Sequence, residues 1–303
     1  MTGIEKVSIS FVALMALATF VPESLAAQDN ATDKQRMIDM GRDHATAEDL
    51  YRALREEAAG GQTLEWDGLP DWSGVYTRGR GGLSFDPDQP PGGAPTAQLT
   101  PEYQARLTQR MELVSQGVEW DPISTCAPPG HPRWLTEPFL KDFVVTPDQT
   151  YLINEMVNDI RRIYTDGRDH PPAVDRYPLF NGDSIGFWDG NKLVIHTNQL
   201  REGIYQRRQP DYTAQVETVE IWEKVDDRNI EVDVWVYDPP ALEEPWYTKQ
   251  VYTKLTNDDK SLRIRYWSCS ENQNNVVFET EEGATDFTDF TFTESDDRGG
   301  EPE

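Results

Sequence analysis

The densest run of polar side chains lies at residues 161–172, with the sequence RRIYTDGRDHPP. Acid–base chemistry needs a group that titrates near neutrality and a partner that fixes its tautomer, and a histidine beside an aspartate supplies both. We therefore predict His170 as the catalytic acid or base, Asp166 as its orienting partner and Arg168 as the stabiliser of a developing oxyanion. The alternative is an Arg–Asp ladder that only stiffens a loop.

Two further segments are expected to face the same cleft. The sequence CAPPGHPRW at residues 126–134 is a Pro-rich loop, and NGDSIGFW at residues 181–188 leads into a strand. A Pro-rich loop holds one conformation at low entropic cost, which suits a pocket wall and equally a structural corner. The predicted ligand-binding residues are His131, Arg161, Tyr164 and Asp183, with aromatic walls from Trp134, Trp188 and Phe180.

Several other kinds of site are not indicated by the sequence. The chain has four histidines and two cysteines, and it contains no H-E-x-x-H, G-x-S-x-G or phosphate-loop motif. We therefore predict neither a metal site nor a cofactor. Glu155 and His196 fall within apolar strand patterns, where an ionisable group is costly if it points into a barrel. Both are expected to point outward.

From about residue 140 the chain shows the alternation and the short turns of a strand meander. Ile230, Val232, Val234 and Val236 alternate with polar or aromatic residues, and Asp189-Gly190-Asn191 is typical of a hairpin turn. A long antiparallel meander leaves an exposed edge unless the sheet closes. We predict a mainly β fold, an antiparallel meander that closes into a barrel or strongly curved sheet, with peripheral helices. The predicted strands are Asp142–Thr146, Thr150–Met156, Ile160–Thr165, Ser184–Trp188, Lys192–Thr197, Val216–Val225, Asn229–Tyr237, Thr248–Leu255 and Ser261–Ser268, after a short aromatic strand at 69–76.

The helices have recognisable ends. Thr46 with acidic residues behind it predicts one helix start, and Gly60-Gly61 predicts the stop. A second helix is expected over 100–117, with Thr100 as the N-cap, Pro101 in the first turn and Gly117 as the stop.

The domain organisation follows from composition. Residues 1–26 have the features of a secretion signal: Lys6 precedes the apolar run 7–21, and small residues precede a cut after Ala26. An uncleaved anchor is the alternative. Residues 27–62 are predicted as a loosely packed, peripheral helical arm and 63–278 as a single β-rich domain. Within that domain the Gly/Pro-rich loop 78–97 is expected not to pack a core, and 279–303 is predicted as an acidic, partly disordered tail.

The net charge of −26 bears on partners and location. A field of this sign repels phosphate backbones, so no nucleic-acid partner is expected, and no segment after the signal is apolar enough to span a membrane. The predicted location is periplasmic or secreted. In an oxidising compartment Cys126 and Cys269 are candidates for a disulfide, although their spacing alone does not decide whether they pair.

Five segments resemble motifs of a large, uncharacterised family of exported bacterial proteins. The resemblance covers roughly residues 65–275 and implies export, but it carries no reaction. Phe187 stands where histidine is common in that family, and 201–212 lacks a Gly-x-Pro-His-Ser-like element. The segments are 69–75, 126–133 (CAPPGHPR), 161–171 (beginning RRIYTDGR), 184–197 (beginning SIGFWDGNKLV) and 269–272 (CSEN).

These observations lead to three hypotheses of function. The first is an exported β-barrel that binds a small organic molecule and carries out cofactor-free acid–base chemistry of the lyase, isomerase or hydratase type. The second is a non-catalytic periplasmic binding protein on the same scaffold. The third is a structural or interaction protein of the envelope. The sequence does not give the ligand or the oligomeric state.

Overall fold

The computed structural model describes residues 23–82, 84–89, 93–119, 121–256, 262–267, 278–279 and 285–286. Its α-helices are α1 (Glu23–Arg42), α2 (Ala47–Glu57) and α3 (Pro101–Ser115). The described residues up to 37 form one compact unit and those from 38 onward form a second. No helix in the described part of the chain is long and apolar enough to cross a lipid bilayer. The predicted signal lies outside the described residues except for 23–26, which open α1.

Both predicted helix starts are confirmed. The Thr46 side chain accepts a hydrogen bond from the backbone N–H of Asp49, as an N-cap does. Helix α3 begins at Pro101, and Gly117 follows its end with a φ of 87°. The expectation of a loosely packed arm is wrong for α2, because its apolar face is buried against β-strands: Leu50 and Tyr51 are 1% and 6% exposed.

The described strands number fourteen, and nine of them form a closed barrel. The barrel order is β1-β12-β11-β10-β7-β6-β5-β4-β3, and β3 pairs back with β1. The predicted mainly β barrel is therefore confirmed. In chain order the strands are β1 (Val75–Arg78), β2 (Val118–Glu119), β3 (Lys141–Val145), β4 (Gln149–Asn154), β5 (Asp159–Tyr164), β6 (Asp183–Asp189), β7 (Lys192–Asn198), β8 (Gly203–Ile204), β9 (Asp211–Tyr212), β10 (Glu217–Lys224), β11 (Asn229–Tyr237), β12 (Trp246–Lys254), β13 (Phe278–Glu279) and β14 (Thr285–Asp286).

One barrel pair departs from the expected antiparallel pattern. Strands β5 and β6 are parallel, with Ile163 opposite Ser184 and Tyr164 opposite Ile185. A parallel pair needs a long connection that returns the chain to the same end of the sheet. Residues 165–182 are that connection. It carries the polar run that ends in His170 past the barrel wall.

Large aromatic side chains fill much of the barrel interior. The four β11 residues that alternate from Ile230 to Val236 are fully buried in the core, as predicted. Trp222 stacks on Tyr252 with a 5.2 Å separation of ring centroids, and Trp72 lies 5.2 Å from Trp188. Burial of these rings supplies much of the stabilisation of the barrel.

Three local predictions need correction. The aromatic strand expected at 69–76 begins only at Val75. Phe85 of the Gly/Pro-rich loop is fully buried, 4.8 Å from the Tyr205 ring, so this loop does contribute to the core. Residues 262–267 are not a strand, because the backbone N–H groups of Arg265 and Trp267 donate to the side chains of Glu155 and Asn158 instead. The rest of that predicted strand, and the acidic tail apart from 279 and 285–286, lie outside the described residues.

Candidate ligand pocket and histidine relay

A cavity of about 290 Å³ lies between α2, the 165–182 connection and the outer face of strands β6 and β7. We call it the arginine pocket because three arginines line it. The complete lining is Glu48, Tyr51, Arg52, Arg55, Asp169, His170, Arg176, Ile185, His196 and Asn198.

The secondary structure explains how these side chains meet. Glu48, Arg52 and Arg55 are spaced by four and three residues, so they lie along one face of α2. Side chains alternate between the two faces of a strand. Ile195 and Thr197 point into the barrel, where Thr197 bonds to Arg161, so His196 and Asn198 point outward. The outward orientation expected for His196 is therefore present, but the ring is only 2% exposed because α2 covers it.

Four ionisable side chains form a continuous hydrogen-bonded chain beside this pocket, which we call the histidine relay. His170 Nδ1 lies 2.5 Å from Asp183 Oδ1, and His170 Nε2 lies 2.9 Å from His196 Nδ1. His196 Nε2 lies 3.1 Å from Glu217 Oε2. The members come from the 165–182 connection and from strands β6, β7 and β10.

The hydrogen-bond partners decide which ring nitrogens donate. An ionised carboxylate only accepts hydrogen bonds, so His170 donates from Nδ1 to Asp183 and His196 donates from Nε2 to Glu217. The contact between the two rings needs one N–H and one lone pair. The relay is therefore a continuous hydrogen-bonded path between the two carboxylates.

Tyr51 of α2 orients the His196 ring. The two rings stack with centroids 5.5 Å apart and an interplanar angle of 28°, and Tyr51 also contacts Phe187 at 5.4 Å. Burial raises the pKa of the Tyr51 hydroxyl to about 12, so this group stays protonated at neutral pH.

The arginines of the pocket differ in how far they are neutralised. Arg52 pairs with Glu48 one turn earlier in α2. Arg176 donates from Nε to the backbone oxygen of Pro171 at 2.9 Å. The Arg55 side chain forms no hydrogen bond or ion pair with any other described residue. At least one guanidinium of the pocket is therefore available to an anion.

Of the predicted catalytic residues, the structure places only His170 in this pocket. The carboxylate that orients His170 is Asp183, and the prediction that Asp166 does so is wrong. Asp166 instead accepts hydrogen bonds from Arg168, whose side chain is 49% exposed and lies 4.1 Å from the Tyr164 ring. These three residues form the ladder considered as the alternative. The pKa of Asp166 is held below its ordinary value by the Arg168 hydrogen bonds.

Most of the other predicted ligand-binding residues are enclosed inside the barrel. Trp134 and Trp188 are core residues. His131 is fully buried, with Nε2 2.8 Å from Thr218 Oγ1, and Arg161 bonds to Glu220. None of these side chains lines the arginine pocket, so the structure does not bring them together with His170 there, and their contact with a ligand stays a prediction.

Phe180 and Cys126 also lie away from the pocket lining. The Phe180 ring lies 5.0 Å from the Arg201 guanidinium, and its backbone oxygen accepts from the His131 N–H. Cys126 is disulfide-bonded. Cys269 lies outside the described residues, so its pairing with Cys126 stays a prediction. Among the described residues there is no group of three His, Cys, Asp or Glu side chains arranged to hold a metal ion.

The sequence interpretation missed several residues of the pocket and one of the barrel interior. An ionisable side chain such as His196 is unfavourable inside an apolar barrel, and this is the signal that the sequence offers for it. Tyr51 carried a weaker signal, since it adjoins Leu50 on the apolar face of a capped helix. Glu220 alternates with Trp222 in β10, which places its carboxylate on the inner face. Glu217, Asn198 and Arg55 gave no signal in the sequence.

Comparison with protein-family models finds no match for this chain. Comparison with curated proteins finds none either.

Proposed function

We propose that this protein binds a small organic anion in the arginine pocket and that the histidine relay exchanges a proton with that ligand. One observation carries the proposal: a hydrogen-bonded pair of histidines lies against a pocket with three arginines. Guanidinium groups attract anions locally, although the chain as a whole has a net charge of −26.

The lining suits an anion because its arginines outnumber its carboxylates. Arg52, Arg55 and Arg176 supply three positive charges, and Glu48 and Asp169 supply two negative ones. Arginine binds a carboxylate with two parallel N–H donors, which makes a carboxylate the anion that suits this pocket.

The relay supports cofactor-free acid–base chemistry of the lyase, isomerase or hydratase type. The chain's own groups would hold the ligand through Arg55 and Arg176 and move a proton through His170 and His196. All four ring nitrogens are hydrogen-bonded in the structure. Proton exchange with a ligand therefore requires one of the three relay hydrogen bonds to open, and the lengthening of catalytic hydrogen bonds in a ligand-free enzyme is common.

Because every ring nitrogen is already bound, a non-catalytic binding protein is the second candidate. In that case His170 and His196 only shape the wall of the pocket and take no part in proton transfer. Replacement of His170 by Ala separates the two: catalysis predicts that turnover falls by orders of magnitude while affinity changes little, and binding alone predicts no turnover in either protein.

Succinate is a suitable probe because it is a small dianion. We expect isothermal titration calorimetry to detect succinate binding and no binding of the uncharged succinamide. The substitution Arg55→Gln should weaken succinate binding about tenfold, since it removes a charge-assisted hydrogen bond. Arg106→Gln is the matched control, because Arg106 pairs with a glutamate one turn earlier in α3, away from the pocket. Equal affinities of the wild type and Arg55→Gln would refute the proposal.

We also propose that the chain is exported. The composition of residues 1–26 and the disulfide-bonded state of Cys126 support this, because disulfides persist in oxidising compartments. Mass spectrometry of the protein from an expressing bacterium should give an N-terminus at Ala27. An intact N-terminus on a cytoplasmic protein would contradict export without affecting the pocket.

A further inference from the structure

We infer that the ligand of the arginine pocket is a hydroxycarboxylate, whose hydroxyl group bonds to the side-chain amide of Asn198 while its carboxylate bonds to the arginines. The inference rests on the proposed function and names the chemical class of its ligand.

Asn198 is a buried polar residue of the pocket, and one atom of its side-chain amide has no hydrogen-bond partner among the described residues. The residue is 4% exposed, and its Oδ1 atom is buried with no hydrogen-bond partner among the described residues. Buried polar atoms in folded proteins nearly always have a partner. A buried amide oxygen without one is therefore a position at which a ligand donor is expected.

The barrel wall fixes the position of this amide. Asn198 is the last residue of β7 and lies opposite Asp183 of the histidine relay in the β6–β7 ladder. The preceding residue, Thr197, accepts a hydrogen bond from Arg161 inside the barrel at 2.6 Å. The β6–β7 ladder therefore fixes the backbone of Asn198. Because the backbone is fixed, the side-chain amide has few positions in which it could find another partner.

The location of Asn198 relative to the relay matters for chemistry. His196 and Asn198 are two residues apart in one strand, so both side chains emerge on the same face about 7 Å apart. A ligand group that reaches the amide of Asn198 therefore lies beside the imidazole pair. Arg55 and Arg176, from α2 and from the 165–182 connection, approach the same cavity from its other walls.

The chemistry of the amide oxygen selects a hydroxyl group. The Oδ1 atom accepts hydrogen bonds, so a second carboxylate, which has no proton to donate, does not satisfy it. An ammonium group donates, but the arginines of the lining oppose its binding. A hydroxyl group is neutral and donates to Oδ1, and it can also accept from the amide nitrogen. The inferred ligand therefore combines a carboxylate with a nearby hydroxyl.

Malate and succinate form the matched test, because they differ by one hydroxyl group on the same carbon chain. We expect the wild-type protein to bind one enantiomer of malate about tenfold more tightly than succinate in calorimetry. The substitution Asn198→Leu, similar in size and without polar atoms, should abolish this preference, so that the variant binds malate and succinate with equal affinity. Arg106→Gln should keep the full preference.

A second measurement on the wild-type protein avoids any dependence on the folding of that variant. In ¹H–¹⁵N spectra, the Asn198 side-chain amide signals should shift on addition of malate and shift less with succinate. Equal affinities and equal shifts for the two ligands would overturn the inference while leaving anion binding intact. Absence of binding by both would instead refute the proposed function.

Discussion

Arg161 and Glu220 form a two-point ion pair inside the barrel. Arg161 Nη1 lies 2.9 Å from Glu220 Oε2, and Nη2 lies 2.6 Å from Oε1. Both side chains are at most 1% exposed, and Trp222 Nε1 donates to the same carboxylate at 2.9 Å. Burial alone would raise the pKa of Glu220, but the charge and hydrogen bonds of the Arg161 guanidinium hold it well below its ordinary value.

The substitution Glu220→Gln should therefore destabilise the fold strongly. It leaves the guanidinium of Arg161 buried without a counter-charge, and loss of one partner of a buried pair costs about 3–5 kcal/mol. Urea denaturation followed by tryptophan fluorescence measures the change. The control Glu223→Gln lies on the same strand, and its carboxylate pairs with Lys192 near the surface. It should alter the free energy of unfolding by less than about 1 kcal/mol, and a similar loss in both variants would contradict the prediction.

The substitution Asp183→Asn should change which ring nitrogens of the histidine relay carry protons. The Asp183 carboxylate only accepts a hydrogen bond, so His170 donates to it from Nδ1, whereas an asparagine amide can donate to Nδ1, which then becomes an acceptor. In spectra of ¹⁵N-histidine-labelled protein we expect His170 Nδ1 to be protonated in the wild type and unprotonated in the variant.

Asp166→Asn is the control for the relay. Asp166 pairs with Arg168 at the surface and contacts neither histidine. Its spectrum should match that of the wild type. An altered histidine pattern in Asp166→Asn, or an unaltered one in Asp183→Asn, would show that the relay is assigned to the wrong carboxylate.

The substitution Tyr51→Ala should both destabilise the protein and weaken anion binding. Removal of a buried aromatic ring costs about 3–5 kcal/mol, and here it also removes the surface on which His196 stacks. Tyr51→Phe retains the ring, and its free energy of unfolding should lie within about 1 kcal/mol of that of the wild type. Thermal denaturation and succinate calorimetry on both variants test this, and normal succinate affinity in Tyr51→Ala would refute a role for α2 in the pocket.

Acid should destabilise the protein through His131. Burial, and next the Arg161 guanidinium, lower the pKa of His131 from 6.5 to about 4. Between these values the unfolded chain binds a proton that the folded one does not, so stability falls as the pH is lowered from 6.5 to 4. In His131→Gln this contribution is absent, so the stability advantage of the wild type over the variant should shrink across that range. Parallel curves for the wild type and His131→Gln would contradict the prediction.

Alkali should stabilise the protein through Lys141. This side chain is fully buried and donates to the backbone oxygen of Glu137 at 2.6 Å, and burial lowers its pKa from 10.5 to about 7. The unfolded chain therefore binds the extra proton between pH 7 and 10, and the contribution of Lys141 to stability rises with pH by about 3 kcal/mol over that range. Relative to Lys141→Met, the wild type should gain stability from pH 7 to 10. A curve for Lys141→Met that runs parallel to that of the wild type would contradict the prediction.

Local patterns in the sequence predicted much of the fold. The alternation along residues 229–237 and the turn at Asp189-Gly190-Asn191 depend on neighbours close in the chain. Strands β6, β7 and β11 occur where these patterns predict them. The cap at Thr46 is equally local. The parallel β5–β6 pair was not predicted, because strand direction depends on the path of the 165–182 connection and not on the alternation within either strand.

The sequence by itself determined that this chain is acidic, through its composition, and β-rich, through its alternating pattern. It also made His170 a candidate for acid–base chemistry. The tertiary structure decided which residues act with it. Asp183, His196 and Glu217 come from three different strands, and their contacts depend on the register between strands and on a long crossover. Asp166 is a plausible partner that lies close to His170 in the sequence. The fold brings Asp183 to His170 and leaves Asp166 with Arg168, since hydrogen bonds form between atoms that are close in space.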